Sequence, residues 1–162
     1  MPSTEPARLG VAFLLAQLGS HATERFAARV ASLGLSPAHA GLLRAIATNP
    51  GDSQQALGRL LGLQPARMVG YVDDLEQRGL VERRRNPTDR RLYALHLTAV
   101  GEQTMRRIAQ LSRSHEAEIC AGLDDTERDA LRELLGRIAD KQGLTPGVHP
   151  GYRHLGRPRP EA

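Results

Sequence analysis

Residues 79–98 read GLVERRRNPTDRRLYALHLT, and this stretch carries the strongest indication of both fold and function. From residue 78 to residue 91, six arginines face two carboxylates: Arg78, Arg83, Arg84, Arg85, Arg90 and Arg91 against Glu82 and Asp89. The local surplus of four positive charges equals the formal net charge of +4 of the whole chain. A surplus this local, on a short hairpin after an amphipathic helix, indicates a surface that binds a polyanion, and DNA suits it best.

Length and composition suit one mainly helical domain. The chain has 162 residues, 40% of them hydrophobic, with three Tyr, two Phe and no Trp, so Leu, Ala, Val and Ile must build the core. Cys120 is the single cysteine, which excludes an internal disulfide. No apolar run reaches membrane-spanning length, and the first residues lack an export-signal pattern. We therefore expect a cytoplasmic protein with no membrane partner.

Four helices are predicted before the hairpin. Apolar side chains spaced three to four residues apart predict the first over residues 7–33. Ser36 followed by Pro37 is typical of the start of a second helix. Ser53 can cap a short third helix, and the fourth begins at Pro65 after a turn containing glycine. The third and fourth helices, joined by so short a turn, predict a helix-turn-helix.

After Gly79 the apolar period changes to that of strands. Residues 80–85 and 91–97 predict two strands joined by a turn, with alternate apolar residues of the second strand on one face. Thr98 can cap a long fifth helix, and residues 124–127 form a capping box for a sixth.

The predicted fold is mainly α with a small β-hairpin wing, a winged helix-turn-helix flanked by N- and C-terminal helices. We expect one domain over residues 7–142, with a DNA-binding lobe at 36–98 and dimerisation helices at 7–33 and 99–142. The remainder, residues 143–162, is rich in Pro and Gly and predicts a flexible basic tail.

Two motifs carry a resemblance to a known family. The sequence DRRLYALHLTAVG contains an Asp-x-Arg, a spaced Leu-x-Leu-Thr and a following Gly, at Asp89, Arg91, Leu95, Leu97, Thr98 and Gly101. LGLQP, followed by VDDLEQRGLVERR, matches a turn and the end of a recognition helix. Over roughly residues 9–141 the chain resembles the MarR-type transcriptional regulators. It departs from their pattern after the turn proline, where Ser, Thr and a basic residue are usual and Ala66, Arg67, Met68, Val69 and Gly70 stand instead.

The candidate DNA contacts lie on the helix-turn-helix and on the wing: Ser53, Gln64, Pro65, Ala66, Arg67, Gly70, Arg84, Asp89, Arg90 and Arg91. An arginine at position 67, on the first turn of the fourth helix, can bind guanine in the major groove. Gln64 can contact adenine or a phosphate, and Gly70 leaves room for the DNA backbone. The alternatives are a solvated arginine, an ordinary polar turn residue and a tolerated glycine.

The resemblance implies that a wing-tip arginine, Arg91 with Arg90 beside it, enters the minor groove. We expect Asp89 to orient Arg91 through a charge-assisted hydrogen bond. Residues 83–85 alternate faces along a strand, so one or two of these three arginines are expected to reach phosphates. The alternative is a solvated hairpin tip.

The first, fifth and sixth helices carry apolar stripes that a small winged-helix core cannot fully cover. The resemblance implies that a second copy covers them in a two-fold dimer. Such a dimer places two recognition helices about 34 Å apart on a pseudo-palindromic operator. The alternative is that these helices fold back on their own domain.

The resemblance also implies release from DNA by a small, often phenolic or anionic, molecule bound between the dimerisation helices and the DNA-binding lobe. The expected lining comes from the first, second and fifth helices, with His21, Arg25, His39 and His115 as polar candidates. The alternative for each is a structural role. Cys120 allows an oxidation-sensing regulator, against the alternative of a buried, inert thiol.

Enzyme motifs are missing from the sequence: it has no HExxH, no GxxxxGK and no CxxC. We expect no enzyme, no cofactor and no metal. The leading hypothesis is a dimeric, sequence-specific DNA-binding regulator, a repressor rather than an activator, released by a small-molecule effector. The alternative is a winged-helix protein-interaction module without specific DNA reading.

Overall fold

The computed structural model describes residues 9–154, and within them the predicted fold class is confirmed. Six α-helices and one antiparallel hairpin follow in the predicted order. They are α1 (Val11–Ala31), α2 (Pro37–Thr48), α3 (Gln54–Leu61), α4 (Pro65–Gln77), β1 (Val81–Arg85), β2 (Tyr93–Leu97), α5 (Ala99–Ile119) and α6 (Asp125–Lys141), then a 3-10 helix (Pro150–His154). Among these described helices, none is long and apolar enough to cross a membrane.

Side-chain caps set the starts of four helices where the sequence predicted them. The hydroxyls of Ser36, Ser53 and Thr98 each accept a hydrogen bond from a backbone N–H three residues on, at 3.3, 3.1 and 3.0 Å. Asp124 and Glu127 cap each other reciprocally, at 2.8 and 2.9 Å. Each cap satisfies donors that the first helical turn leaves without intrahelical partners.

The core lies between α2, α3, α4 and the wing. Its fully buried side chains are aliphatic, as the composition predicted: Leu42, Leu43, Ile46, Leu57, Met68, Val72, Leu75, Val81 and Leu95. Gly62 adopts φ +66° at the end of α3 and turns the chain into α4. This positive φ suits glycine, so the helix-turn-helix angle depends on that residue.

The β1–β2 hairpin, called the wing from here on, pairs from Val81↔Leu97 to Arg85↔Tyr93. The second strand is shorter than predicted because Leu92 donates back to the Asp89 carbonyl at 3.0 Å and extends the turn. Ala94 and Leu95 are both buried, and the chain just before α3 pairs with the edge of β2 through a bridge between Ser53 and Ala94. The wing therefore has a third, short neighbour that anchors it to the lobe.

His39 joins the start of α2 to α4. The Ser36 N–H donates to His39 Nδ1 at 3.1 Å, and His39 Nε2 lies 2.9 Å from an Asp74 carboxylate oxygen. Arg78 donates to the same carboxylate oxygen, also at 2.9 Å. With Nδ1 accepting and Nε2 donating, this geometry suits the neutral imidazole. Burial lowers the pKa of His39 below 6.5, Asp74 opposes this shift and Arg78 adds to it.

Residues 144–152, called the strap from here on, differ from the expectation of a flexible tail beginning at residue 143. Gly143, at φ +66°, turns the chain after α6, and Val148 and Tyr152 pack against the core. The Arg44 guanidinium donates to the Gly147 carbonyl. A composition rich in Pro and Gly does not reveal this packing of Val148 and Tyr152 against the core. Residues 155–162 lie outside the described residues.

Two of the three apolar stripes expected to be uncovered are exposed. In α6, Leu131, Leu134, Leu135 and Ile138 are exposed, and in α1 Val11, Phe13, Leu14, Leu15 and Leu18 are exposed. In contrast, α5 uses its apolar side within the chain, where Ile108 is buried and Met105 packs against the core. The single chain thus leaves α1 and α6 as its open apolar faces.

Gly101→Ala is predicted to destabilise the fold because a Cβ at this position would lie 1.9 Å from the Leu80 carbonyl oxygen. We expect a loss of about 1–3 kcal/mol, the usual cost of overpacking, in urea unfolding followed by circular dichroism. Gly70→Ala is the matched control. Its added Cβ meets no heavy atom within 4 Å, so helix propensity should stabilise it by about 1 kcal/mol. Equal stability of the two variants would contradict the close approach at Gly101.

His39→Gln is predicted to reduce the loss of thermal stability in acid. Because folding lowers the pKa of His39, the unfolded chain takes up a proton first as the pH falls below 6.5. The contribution of His39 is therefore present above that pH and lost below it. Glutamine keeps an acceptor for the Ser36 N–H but does not titrate. Melting temperatures from about pH 7.5 to about pH 5 should fall less in the variant than in the wild type.

Burial also lowers the pKa of His115, so a second share of acid sensitivity should remain in His39→Gln and disappear in His115→Gln. If the melting temperature of His39→Gln varied with pH just as that of the wild type does, the prediction for His39 would be contradicted.

Candidate nucleic-acid interface and ligand cleft

The turn between α3 and α4 presents an exposed, small-residue surface. Gln64 precedes α4 without a side-chain cap bond, and Pro65 occupies its first turn. Gln64, Pro65, Ala66 and Gly70 are exposed, and Arg67 is half-buried. Residues 66 and 70 share one face of α4 by their spacing. A backbone or base edge can therefore approach this face closely, with Arg67 at its side.

Ser53 lies at the start of α3 and uses its oxygen within the fold. Its Oγ accepts the Ala56 N–H at 3.1 Å, which leaves its hydroxyl proton as the group free to donate. Ser53 is thus a capping residue first, and any contact to a phosphate would come from the same hydroxyl.

The three arginines of β1 divide as their alternation predicted. Arg83 turns inward, with 18% of its side chain exposed, and binds Asp73 and Glu76 of α4, each at 2.5 Å. Its Nε also donates to the Gln54 Oε1 at 3.1 Å. Arg84 is exposed and pairs with Glu82. Arg83 therefore joins the wing to α3 and α4, and Arg84 is the one on the outer face of the strand.

Arg85, the last residue of β1, is held by the wing itself. The Arg85 guanidinium lies 5.9 Å from the centre of the Tyr93 ring and donates to the Arg90 carbonyl at 3.2 Å. It therefore supports the turn that carries Arg90 and Arg91.

Two side chains order the wing tip, the amide of Asn86 and the carboxylate of Asp89. Asn86 Oδ1 accepts the Thr88 N–H at 2.9 Å and closes the turn. Asp89 Oδ1 accepts the Arg91 N–H at 3.0 Å and the Arg91 Nε at 3.2 Å, which confirms the predicted orientation of Arg91 by Asp89. The backbone hydrogen bond from Arg91, and then its side chain, lower the pKa of Asp89. The Arg91 side chain is 91% exposed and Arg90 is exposed too, so both project from the tip.

A cleft of about 1030 Å³ separates α1, α2 and α5 on one side from the end of α6 and the strap on the other. Its lining is mostly apolar. His115 lies in it, with its ring 5.6 Å from that of Phe26, and its buried Nδ1 has no hydrogen-bond partner among the described residues. Burial, followed by the charge of Arg29, lowers the pKa of His115. The wall of the cleft thus contains a buried imidazole nitrogen that has no hydrogen-bond partner among the described residues.

The other polar candidates for the cleft lie elsewhere. His21 is exposed and does not line the cleft. Arg25 joins Arg29 in binding Glu118, which ties α1 to α5. His39 is occupied by Ser36 and Asp74, and its ring meets that of Tyr71 edge-on at 5.1 Å.

Sequence reasoning missed several polar groups of the cleft: Arg44, Tyr71, Ser112 and Tyr152. Ser112 lies one helical turn before His115, so helix periodicity could have found it. No pattern pointed to Tyr152, because it reaches the cleft from the strap.

Cys120 ends α5 in a half-buried position. No group of three or more His, Cys, Asp or Glu side chains among residues 9–154 is arranged to hold a metal ion.

Comparisons with known proteins agree with this geometry. The MarR family model matches residues 33–92. A protein of Thauera aromatica, described as a putative transcriptional regulatory protein for the hcr operon, is 40% identical over 113 residues, which cover 70% of this chain and 68% of that protein.

Two solved structures superpose on most of the chain. The transcriptional repressor CouR, bound to a 23-mer DNA duplex, is 34% identical with a TM-score of 0.72, covering 80% of this chain and 92% of CouR. A MarR-family regulator of Rhodococcus sp. RHA1 is 27% identical with a TM-score of 0.69, covering 80% and 91% of the two chains. The protein with this wing, helix-turn-helix and cleft belongs to the MarR family, whose members are transcriptional regulators and not enzymes.

Proposed function

We propose that this protein is a dimeric repressor that binds a pseudo-palindromic operator through α4 and the wing and is released by a small molecule in the cleft. The observation that carries the proposal is the wing tip, where Asp89 accepts hydrogen bonds from the backbone N–H and the Nε of the exposed Arg91. As a regulator of transcription, it is proposed to act in the cytoplasm.

Duplex binding is supported by the different positions of the arginines, one paired with carboxylates of α4 and others exposed on the wing. Arg83 neutralises Asp73 and Glu76, the carboxylates of α4 that would otherwise repel phosphates. Arg84, Arg90 and Arg91 are exposed and available to the backbone or to a narrow minor groove. CouR, a repressor bound to DNA in its solved structure, is 34% identical to this chain and supports the same direction of regulation.

Dimerisation is supported by the open apolar faces of α1 and α6. Contiguous exposed apolar patches of this kind mark interaction surfaces in most proteins. A two-fold axis would bring α1 and α6 of one copy against those of the other and present two α4 helices to successive major grooves.

Effector release is supported by the position of the cleft. Ser36 and Pro37 line it at the start of α2, and Tyr71 lines it from α4. Ser36 also binds His39, which contacts Asp74 of α4. A ligand that moves the start of α2 therefore acts on the recognition helix through packed groups. A coupling of about 1–3 kcal/mol is enough to shift operator occupancy.

Arg91→Ala and Arg67→Ala are predicted to weaken DNA binding in different ways. Losing Arg91 should weaken binding to all duplexes. It should also make the plot of log affinity against log salt less steep by about one, the contribution of one phosphate contact. Losing Arg67 should reduce the binding free energy by about 1–3 kcal/mol for duplexes with the preferred base pair at the position it contacts. The preference for that base pair should weaken accordingly. Fluorescence anisotropy on duplexes selected by the wild type from a random library measures both effects.

Arg113→Ala is the control for that series, since Arg113 is exposed on α5 and belongs to neither the wing nor α4. Unchanged binding in both the Arg67 and Arg91 variants would contradict the proposed interface. Wild-type binding to a protein partner that resists salt, without any duplex binding, would favour the interaction-module alternative.

Leu134→Glu is predicted to convert the protein from dimer to monomer because Leu134, 53% exposed in α6, would place a carboxylate in an apolar interface. Sedimentation velocity measures the change. Gln103→Glu introduces the same group on an exposed position of α5 outside that face and should leave the dimer intact. A wild-type protein that sediments as a monomer would refute the dimer.

A further inference from the structure

The cleft already contains a phenol, supplied by the chain itself. The side chain of Tyr152, in the strap, lies on α2 and its hydroxyl donates to the Pro37 carbonyl at 3.2 Å. Pro37, Ala38 and Gly41 line the same cleft as Tyr152, so the surface under the ring is continuous with the cleft wall. Burial raises the pKa of the Tyr152 hydroxyl, which keeps its proton on the donor that this bond requires.

The surface under the ring is shaped to accept it. A Cβ at position 41 would lie 2.3 Å from the Tyr152 Oη and 2.6 Å from its Cζ. Gly41 is inside α2, where glycine costs about 1 kcal/mol relative to alanine. The missing side chain leaves a slot on α2, bounded at the carbonyl end by Pro37, and the Tyr152 ring occupies that slot.

Few contacts hold the strap on α2 among the described residues. Its polar attachments to α2 are the Tyr152 hydrogen bond and the bond from Arg44 to the Gly147 carbonyl. Val148 adds a half-buried apolar contact. Attachments this few lie at the low end of local stability in folded proteins.

We propose that the Gly41 slot is a binding subsite for the ring of a para-substituted phenol, and that Tyr152 is its resident competitor. The ligand ring would take the place of the tyrosine ring, its hydroxyl would donate to the Pro37 carbonyl, and its para substituent would extend into the cleft. This inference rests on the proposed function to the extent that the same cleft binds the effector. It specifies that one end of the ligand is a phenol, and that the strap must leave the slot before this end can bind.

Competition by Tyr152 has a measurable consequence. A ligand binds the slot only in molecules whose strap has left, so the apparent affinity falls by the fraction of those molecules. If the strap occupies the slot in most molecules, removing the tyrosine ring should raise the affinity for a free phenol by about tenfold or more.

The test uses 4-methylphenol, the side-chain analogue of tyrosine, as the probe, with binding measured by isothermal titration calorimetry on the full chain without DNA. Tyr152→Ala empties the slot and should bind the probe at least about tenfold more tightly than the wild type. Gly41→Ala combined with Tyr152→Ala fills the slot with a methyl group and should abolish the gain. Toluene, which has no hydroxyl to donate to Pro37, should bind Tyr152→Ala more weakly than 4-methylphenol does.

The proposed subsite would be contradicted if wild type and Tyr152→Ala bound 4-methylphenol with equal affinity. It would also be contradicted if the double variant retained the gain in affinity. Undetectable binding to a Tyr152→Ala protein that melts like the wild type would contradict it too. The proposed function fails separately. A Tyr152→Ala protein that binds the probe in the slot, while no cleft ligand changes operator affinity, would retain the phenol subsite and refute effector release.

Discussion

The ion pairs of Arg83 with Asp73 and Glu76 join the wing to α4, the helix proposed to read DNA. A two-stranded hairpin is marginal by itself, so its direction must be set by what it is attached to. Here one guanidinium contacts two carboxylates of α4 and an amide of α3. The same contact offsets negative charge on the face proposed to contact DNA. One side chain, of which 18% is exposed, therefore contributes both to the attachment of the wing and to the charge of the proposed interface.

Helix α2 connects the cleft with α4. One end of it carries the Ser36 cap and His39, through which it contacts α4, and its side carries the small residues that border the cleft. A helix that borders both the cleft and the recognition helix can transmit a small displacement, because packed cores respond as units and not as soft continua. The open faces of α1 and α6 are the surfaces through which the proposed dimer would join two such units, as binding to a two-fold operator requires.

Much of the fold was predictable because its determinants are local. Caps at Ser36, Ser53, Thr98 and Asp124 involve residues three apart, and the orientation of Arg91 by Asp89 spans two positions. The candidate site was predictable only in part for the same reason. The sequence indicated that β1 arginines alternate, but not that Arg83 is the inward one. Of the polar side chains expected in the cleft, His115 lines it, whereas Arg25 and His39 bind partners that are distant in sequence or on another helix.

The sequence by itself determined the order of helices and strands, their caps, the turn geometry and the charge of the wing, since these depend on neighbours within one or two turns of chain. Tertiary structure alone decided that α5 is covered while α1 and α6 remain open. It also decided that Tyr152 lies over Gly41, more than a hundred residues away. Such contacts arise from shape complementarity between segments that are far apart in sequence, and no periodicity within either segment records them.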